Sequence, residues 1–91
     1  CFNDVLAAGL MAGLRRAGCE PGRDIAVVGL DDLPLAELTH PALTSVAMDA
    51  PRIGRNAAGL LARRLADPAA VPQRDIVAPR LVVRDSSFQK V

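Results

Sequence analysis

The feature that most constrains the fold of this chain is a continuous apolar run, "IAVVGL" at residues 25–30, which ends directly in two aspartates. The run contains three β-branched residues and no polar side chain, a composition that favours a strand. Strands that read as unbroken apolar runs are buried on both faces, and they occur in parallel sheets covered by helices. Asp31 and Asp32 would then follow the carboxyl end of a buried strand, and the role of this pair is the main question that the sequence raises.

A helix is predicted before this strand, over "NDVLAAGLMAGLRRA" at residues 3–17. Asn3 or Asp4 can cap its first turn, and Gly18 can end it. The apolar residues recur at helical spacing, namely Val5, Leu6, Leu10, Leu14 and Ala17. The two residues before the helix look like the end of an earlier strand, so we expect a parallel β-α-β unit and a chain that is a fragment of a longer protein.

The remainder of the chain alternates helical and extended patterns. A short helical piece is predicted at residues 33–38, a strand at residues 43–48, and a longer helix capped by Asp49. Two further short strands are predicted at residues 74–79 and 80–87. Together these elements predict the α/β fold class, as a lobe built on a parallel sheet with helices on both faces.

Composition argues against several classes of function. The chain has 91 residues and a net charge of +1, which fits one small domain and provides no basic surface for nucleic acid. Its two cysteines form no CxxC pair, so we expect two free thiols in a reducing compartment. No apolar segment reaches the roughly 18 residues that a membrane-spanning helix needs. We therefore expect a cytoplasmic protein that does not contact a membrane.

Two adjacent acidic residues at a strand end are found in several kinds of catalytic or metal site. A metal site needs more ligands than this region supplies, because His40 is the only histidine and adjacent strand residues point to opposite faces. A phosphoacceptor of the receiver type needs a nearby lysine, and the only lysine is Lys90. A GxSxG nucleophile elbow is missing, and no glycine-rich loop follows the strand. We therefore expect no catalytic residue, no metal and no cofactor.

Two interpretations of the aspartates remain open from the residues alone. Ligands of open α/β sheets bind at the carboxyl ends of the strands, where both Asn3 and Asp31 are predicted to lie. A carboxylate accepts hydrogen bonds from hydroxyl groups and an amide both donates and accepts, so this pair suits a small polar ligand such as a sugar. In this interpretation Asp4 and Asp32 cap the helices behind them. In the other interpretation all four residues are helix caps only.

Five short motifs, in order and with natural spacing, resemble the LacI/GalR family of bacterial transcription regulators over nearly the whole chain. They are "ND…A.G…L…G", "DIAVVGLDD", "PALTSV", "P..IG..AA.LL..RL" and "LVVRDSS". Each motif alone is weak, whereas five in sequence are fairly specific. Two positions depart from the usual pattern of the family, since Leu30 replaces an aromatic residue and "LTSV" replaces the commoner "LTTV".

The resemblance implies a binding module and not an enzyme. Members of the family have a two-lobed core like periplasmic binding proteins, and this chain matches most of the C-terminal lobe. The effector-contacting residues of the family match Asn3 and Asp31, and its homodimer interface matches segments that contain Val5, Ala8 and Leu38. The implied partners are a small effector, such as a sugar or a nucleoside-type metabolite, a second copy of the chain, and operator DNA. The DNA would be bound through an N-terminal helix-turn-helix domain that lies outside this chain.

Two other functions stay open at this stage. A lobe of a periplasmic sugar-binding protein of a transport system would share the fold and the ligand geometry, although "PALTSV" and "LVVRDSS" favour a regulator. An enzyme on a doubly wound sheet would need its base, nucleophile or cofactor loop from outside this chain. The sequence therefore predicts the effector-sensing lobe of a transcription regulator, in which ligand binding shifts the population of lobe arrangements and so changes operator affinity.

Overall fold

A computed structural model describes residues 1–87 of the chain. The chain divides into two compact units. The first unit comprises Cys1–Ala47 and the described residues from Arg80 onward, and the second comprises Met48–Pro79. The first unit contains α1 (Asp4–Arg16), β1 (Val28–Leu30), α2 (Leu35–Leu38), β2 (Thr44–Ala47), β3 (Arg80–Val82) and a 3-10 turn (Asp85–Ser87). The second unit contains α3 (Ala50–Ala66).

The first unit is built on a three-stranded sheet in the order β1-β2-β3. β1 and β2 are parallel, with Val28 opposite Thr44, so their carboxyl ends meet at one edge of the sheet. β3 runs antiparallel to β2, with Val82 opposite Ser45. The sheet is therefore mixed, where the apolar pattern predicted only parallel strands. An antiparallel edge strand on an otherwise parallel sheet is common in α/β folds.

The ends of α1 follow from its capping residues. Asn3 is the N-cap with an extended backbone, and its Oδ1 accepts a hydrogen bond from the Leu6 N–H at 2.8 Å. Gly18 follows the helix with a φ of 80°, and the N–H groups of Gly18 and Cys19 bond carbonyls of the last helical turn. These two bonds form a Schellman motif, which needs a residue that tolerates the left-handed conformation. The predicted cap and the predicted stop of α1 are both confirmed.

The core of this unit is small, and it is formed by α1, α2 and the sheet. Its buried apolar residues are Ala7, Met11, Val27, Ala36 and Leu43. The apolar spacing predicted α1 correctly, but Val5, Leu6 and Leu10 are 58%, 56% and 44% exposed. The buried side of α1 instead contains the smaller Ala7, the flexible Met11 and the acidic Asp4. α1 therefore presents apolar side chains outside the core of this unit.

The segment after β3 bonds the amino ends of β1 and β2. Ser86 Oγ donates to the Val27 carbonyl at 2.7 Å and accepts from the Thr44 N–H at 2.8 Å. The Thr44 hydroxyl accepts from the Arg84 N–H at 2.8 Å and bonds the Arg84 carbonyl at 3.0 Å. The strand predicted at residues 80–87 ends after three residues, because the following residues turn and bond the amino ends of β1 and β2.

The strand predicted at residues 74–79 is wrong, because this segment of the second unit forms no strand. Side chains of α3 form hydrogen bonds with one residue just before this segment and one residue within it. Arg63 Nη1 donates to Gln73 Oε1 at 2.7 Å, and Asn56 Nδ2 donates to Asp75. This segment therefore lies beside a helix and does not pair in a sheet.

α3 begins at its predicted cap. Asp49 has a left-handed φ of 47°, and its Oδ1 accepts from the Arg52 N–H at 3.4 Å, with Pro51 in the first turn. Near the other end, Arg64 Nη1 donates to the Ala70 carbonyl at 2.8 Å. No residue of α3 is buried.

Three further observations concern chemistry within residues 1–87. The thiols of Cys1 and Cys19 are both free. No helix in this range is long and apolar enough to cross a membrane. The same residues contain no group of three histidine, cysteine, aspartate or glutamate side chains that could hold a metal ion.

Candidate ligand-binding site

The candidate site is centred on the strand-end loop, residues 31–33, which follows β1 and precedes α2. Two of its residues have a left-handed backbone, with a φ of 105° at Asp31 and 51° at Asp32. Residues other than glycine rarely adopt these angles, and each such conformation costs of order 1–3 kcal/mol. The Asp31 N–H donates to the Val46 carbonyl of β2 at 2.9 Å, the first of several bonds that hold this strained loop.

The next two N–H groups of the strand-end loop are bonded by side chains from two other elements. The Asp32 N–H donates to Ser45 Oγ of β2 at 3.0 Å. The Leu33 N–H donates to Asp4 Oδ2, in the first turn of α1, at 2.7 Å. Three successive backbone donors are thus all satisfied, and they tie the loop to both β2 and α1.

Asp4 is fully buried, and both of its carboxylate oxygens have donors. Oδ1 accepts from Ser45 Oγ at 2.6 Å, and Oδ2 accepts from the Leu33 N–H. A buried carboxylate needs such partners, because its removal from water is otherwise strongly unfavourable. Gly29 of β1 makes room for this carboxylate, since a Cβ at that position would overlap Asp4 Oδ1.

The prediction that Asp4 and Asp32 cap helices is wrong. Asn3 caps α1, and the Asp4 carboxylate reaches across to the strand-end loop. No side chain caps α2. Asp32 instead forms an ion pair with Arg84, with 2.8 Å between Oδ1 and Nη2. Of the two adjacent aspartates, Asp31 is therefore the exposed one and Asp32 is held within the protein.

Arg84 connects the segment after β3 to the region of the strand-end loop. Its Nη1 donates to the Leu43 carbonyl at 2.8 Å, and its Nη2 lies 3.7 Å from Glu37 Oε1. Arg84 and Asp32 form an ion pair, but the geometry of this contact is not that of a hydrogen bond. The buried Oδ1 of Asp32 therefore accepts no hydrogen bond. Arg84 thus neutralises one aspartate of the pair and leaves the other to face solvent.

Asn3 and Asp31 both flank the junction of α1 with the strand-end loop. Asn3 directly precedes Asp4, whose carboxylate bonds the residue two positions after Asp31. The cap bond of Asn3 engages its Oδ1 and does not require its Nδ2. An amide can donate and a carboxylate can accept, a combination of groups that suits hydroxyls.

The residues predicted at a dimer interface lie on two neighbouring helices. Val5 and Leu38 are exposed, Leu38 to 80%, and Ala8 is half-buried. α1 and α2 contact each other, and the exposed Phe2 and Leu6 add to the apolar surface near the start of α1. The first unit thus carries several exposed apolar side chains on these two helices.

A cavity of about 680 Å³ lies elsewhere, within the second unit. Leu60, Leu61, Val71 and Pro72 are among the residues that line it. Neither Asn3 nor Asp31 belongs to that lining, so the candidate site does not coincide with this cavity.

Sequence reasoning missed the contributions of Ser45 and Arg84 to this site. Both residues stand in motifs that carried the family resemblance, "LTSV" and "LVVRDSS". A usable signal was the hydroxyl of Ser45 in the middle of a predicted strand, because a hydroxyl that becomes buried needs a hydrogen-bond partner. Nothing in the pattern identified that partner as Asp4, which lies 41 residues away along the chain.

Comparisons with known proteins identify relatives of the chain. The model of the periplasmic binding protein-like domain family matches residues 1–87. The HTH-type transcriptional repressor PurR of Vibrio vulnificus is 40% identical over 86 residues, which are 94% of this chain and 26% of the relative. The HTH-type transcriptional regulator MalR of Streptomyces coelicolor is 34% identical over 87 residues, or 96% of this chain and 25% of the relative. The chain thus spans about a quarter of the length of these relatives.

Solved structures show the same similarity in three dimensions. The lac repressor dimer bound to operator and the anti-inducer ONPF has a TM-score of 0.84 and 30% identity, over 96% of this chain and 30% of that chain. The complex of the transcriptional regulator CelR with cellobiose has a TM-score of 0.88 and 34% identity, over 94% and 26%. A LacI family regulator from Enterococcus faecalis with bound ribose has a TM-score of 0.88 and 30% identity, over 98% and 33%.

These similarities confirm the predicted α/β fold class, which is that of periplasmic binding proteins, and they extend over nearly all described residues. The curated relatives are transcriptional regulators. The motifs that suggested this family therefore indicated it correctly, and the chain belongs to the LacI/GalR family of transcription regulators, of whose periplasmic binding protein-like core it forms a part.

Proposed function

We propose that this chain is the C-terminal lobe of an effector-sensing core, in a regulator whose DNA-binding domain lies outside the chain. The observation that carries the proposal is the strand-end loop, which exposes the carboxylate of Asp31 while β2 and α1 bond its backbone. A group that is already ordered loses little conformational freedom when a ligand binds. The carboxyl end of a parallel strand is also where ligands of open α/β sheets bind.

The proposed ligand is a sugar or a nucleoside-type metabolite. Such molecules carry several hydroxyl groups, which donate to the carboxylate of Asp31 and accept from the amide of Asn3. Hydrogen bonds to a charged group contribute about 1.5–3 kcal/mol each, so Asp31 is expected to dominate the contribution of this lobe. Sugars bound to related regulators support this class, namely cellobiose on CelR, ribose on the Enterococcus faecalis protein and lactose on an Arthrobacter protein.

The proposed mechanism is a shift in population between two arrangements of the lobes. An effector that binds one arrangement more tightly increases its population, and the DNA-binding domains then meet the operator differently. A coupling free energy of about 1–3 kcal/mol changes operator affinity roughly 5- to 150-fold. In this proposal the protein acts in the cytoplasm as a homodimer, without catalysis, cofactor, metal or membrane contact. A lac repressor dimer bound to operator is the solved relative that supports this view.

Asp31→Ala in the intact protein tests the proposal. Ribose, lactose, cellobiose and adenosine are first screened by thermal shift, and at least one is expected to raise the Tm of the wild type. Asp31→Ala is expected to raise the Kd for that compound roughly tenfold or more, because a charge-assisted bond is lost. Operator affinity in the absence of the compound is expected to stay unchanged, since the site does not touch DNA.

Asp85→Ala is the matched control for this experiment. Asp85 is also exposed, but it begins the 3-10 turn, whose Ser86 bonds the amino ends of the strands and not the strand-end loop. It is expected to leave the Kd unchanged. Equal Kd values for wild type and Asp31→Ala would contradict the proposed role of Asp31.

The alternative function is a lobe of a periplasmic sugar-binding protein for transport. It predicts the same effect of Asp31→Ala on sugar binding and no binding to operator DNA. Fluorescence anisotropy with DNA fragments from upstream of the gene, with and without the sugar, separates the two. Sugar-sensitive DNA binding supports the regulator, whereas sugar binding by a protein that binds none of the fragments favours the transport function.

A further inference from the structure

We propose that Asp4 and Ser45 are positioning residues that hold Asp31 in its ligand-binding orientation, an inference that rests on the proposed function of Asp31. Neither residue is available to a ligand in this unit, because both are fully buried. Their polar atoms are used entirely inside the protein, where they bond each other and the backbone of the strand-end loop. Their effect on the ligand would therefore be transmitted through the conformation of that loop.

The hydrogen-bond directions at Ser45 follow from its single hydroxyl hydrogen. The Ser45 hydroxyl has one hydrogen, and it donates that hydrogen to Asp4 Oδ1 at 2.6 Å. A lone pair of the same oxygen then accepts from the Asp32 N–H at 3.0 Å. The other carboxylate oxygen of Asp4 accepts from the Leu33 N–H. Two consecutive backbone donors next to Asp31 thus depend on these two side chains.

The strand-end loop needs such support because its conformation is strained. The left-handed φ values of Asp31 and Asp32 persist in proteins only where the surrounding structure imposes them. Without the side-chain bonds, the loop is expected to populate relaxed conformations that turn the Asp31 carboxylate away. The apparent Kd then rises in inverse proportion to the fraction of the binding-competent conformer that remains.

The strand beneath the cluster is built to admit the carboxylate. Gly29 is buried, and a Cβ there would overlap Asp4 Oδ1 and lie 3.3 Å from Asp4 Cα. Glycine weakens a strand interior, and it is typical of positions where another group approaches the backbone closely. The cluster therefore lies among three elements, β1, β2 and α1. The strand-end loop that it supports leads from β1 to α2.

The test compares Ser45→Ala with Ser86→Ala in the intact protein. Both serines are fully buried, and each hydroxyl donates one hydrogen bond and accepts one from a backbone N–H. Ser86 bonds Val27 and Thr44 at the opposite ends of the strands, so its loss lowers stability without touching the strand-end loop. A third variant, Ser45→Thr, keeps the hydroxyl and is expected to behave as the wild type.

The first measurement is hydrogen exchange of the Asp32 and Leu33 amides, relative to the core amide of Met11. Ser45→Ala is expected to raise this ratio roughly tenfold or more, since the support of the loop is lost locally. Ser86→Ala and Ser45→Thr are expected to leave the ratio unchanged. An unchanged ratio in Ser45→Ala, or an equal rise in Ser86→Ala, would overturn the proposal.

The second measurement is the Kd for whichever of ribose, lactose, cellobiose and adenosine stabilises the wild type. Ser45→Ala is expected to raise the Kd roughly tenfold, with recovery in Ser45→Thr and no change in Ser86→Ala. An equal loss of affinity in both alanine variants indicates a merely structural role and overturns the proposal. If none of these four compounds binds the wild type, the proposed ligand class fails, while the amide ratios still decide whether Asp4 and Ser45 hold the loop.

Discussion

At the scale of single residues, Gly29 is the position that leaves space for the buried carboxylate of Asp4. It stands in the middle of β1, where a β-branched residue would make a better strand. The reason for glycine is space, because a Cβ would overlap Asp4 Oδ1 and lie 3.0 Å from Leu43 Cδ2. The apolar run predicted the strand correctly, but it contained no sign that one of its residues admits a carboxylate from a helix.

Gly29→Ala is therefore expected to lower the free energy of unfolding by about 1–3 kcal/mol, as extra atoms in a packed interior typically do. Urea denaturation followed by circular dichroism measures this change. Gly13→Ala is the control, because a Cβ at that helical position meets nothing within 4 Å. It is expected to stabilise the protein by roughly 0.5–1 kcal/mol, since alanine favours helix interiors. A neutral Gly29→Ala would show that Asp4 can move aside without loss.

At the scale of elements, α1 shows which features of a helix are local. Its ends follow from Asn3 and Gly18, whose cap bonds involve residues within one turn. Its buried face does not follow from apolar spacing, because Leu6 and Leu10 are exposed whereas Asp4 is buried. The face was decided by what α1 meets, namely the strand-end loop, Ser45 and the small core. Asn3 thus has one established task in the helix and one proposed task towards a ligand.

Two substitutions of Asn3 separate these tasks. Asn3→Asp keeps an oxygen that caps the helix and removes the amide donor, so Tm is expected to be retained while the sugar Kd rises. Asn3→Ala removes both groups, and it is expected to lower the free energy of unfolding by about 1 kcal/mol in addition. Thermal denaturation and calorimetric titration with the sugar measure the two effects. Unaltered sugar affinity in Asn3→Asp would leave the residue with its capping role alone.

At the scale of the whole molecule, the proposed homodimer interface is based on the exposed apolar side chains of α1 and α2. Val5 and Leu38 are both more than half exposed, and Ala8 is small enough to allow close approach of another chain. Burial of apolar area is the main driving force of such interfaces. The dimeric lac repressor among the solved relatives supports this proposal.

Leu38→Asp in the intact protein is accordingly expected to shift the dimer towards monomer, because a charge would have to be buried in the interface. Sedimentation velocity across a range of concentrations measures the shift. Leu65→Asp is the control, since Leu65 is similarly exposed, to 73%, but lies on α3 in the second unit. A dimer that withstands Leu38→Asp, or that dissociates equally with Leu65→Asp, would argue against an interface on α1 and α2.

The sequence by itself determined the fold class, the family, the ends of α1, the start of α3 and the strand–loop segment that contains Asp31. The family followed from five motifs in order along the chain, whereas the elements and their ends depend on caps, turns and apolar runs, whose interactions span only a few residues. The tertiary structure decided the antiparallel direction of β3, the loss of the strand at residues 74–79 and the inward role of Asp4. The reason is distance along the chain: Asp4 meets partners 29 and 41 residues away, and no local pattern encodes which distant groups packing brings together.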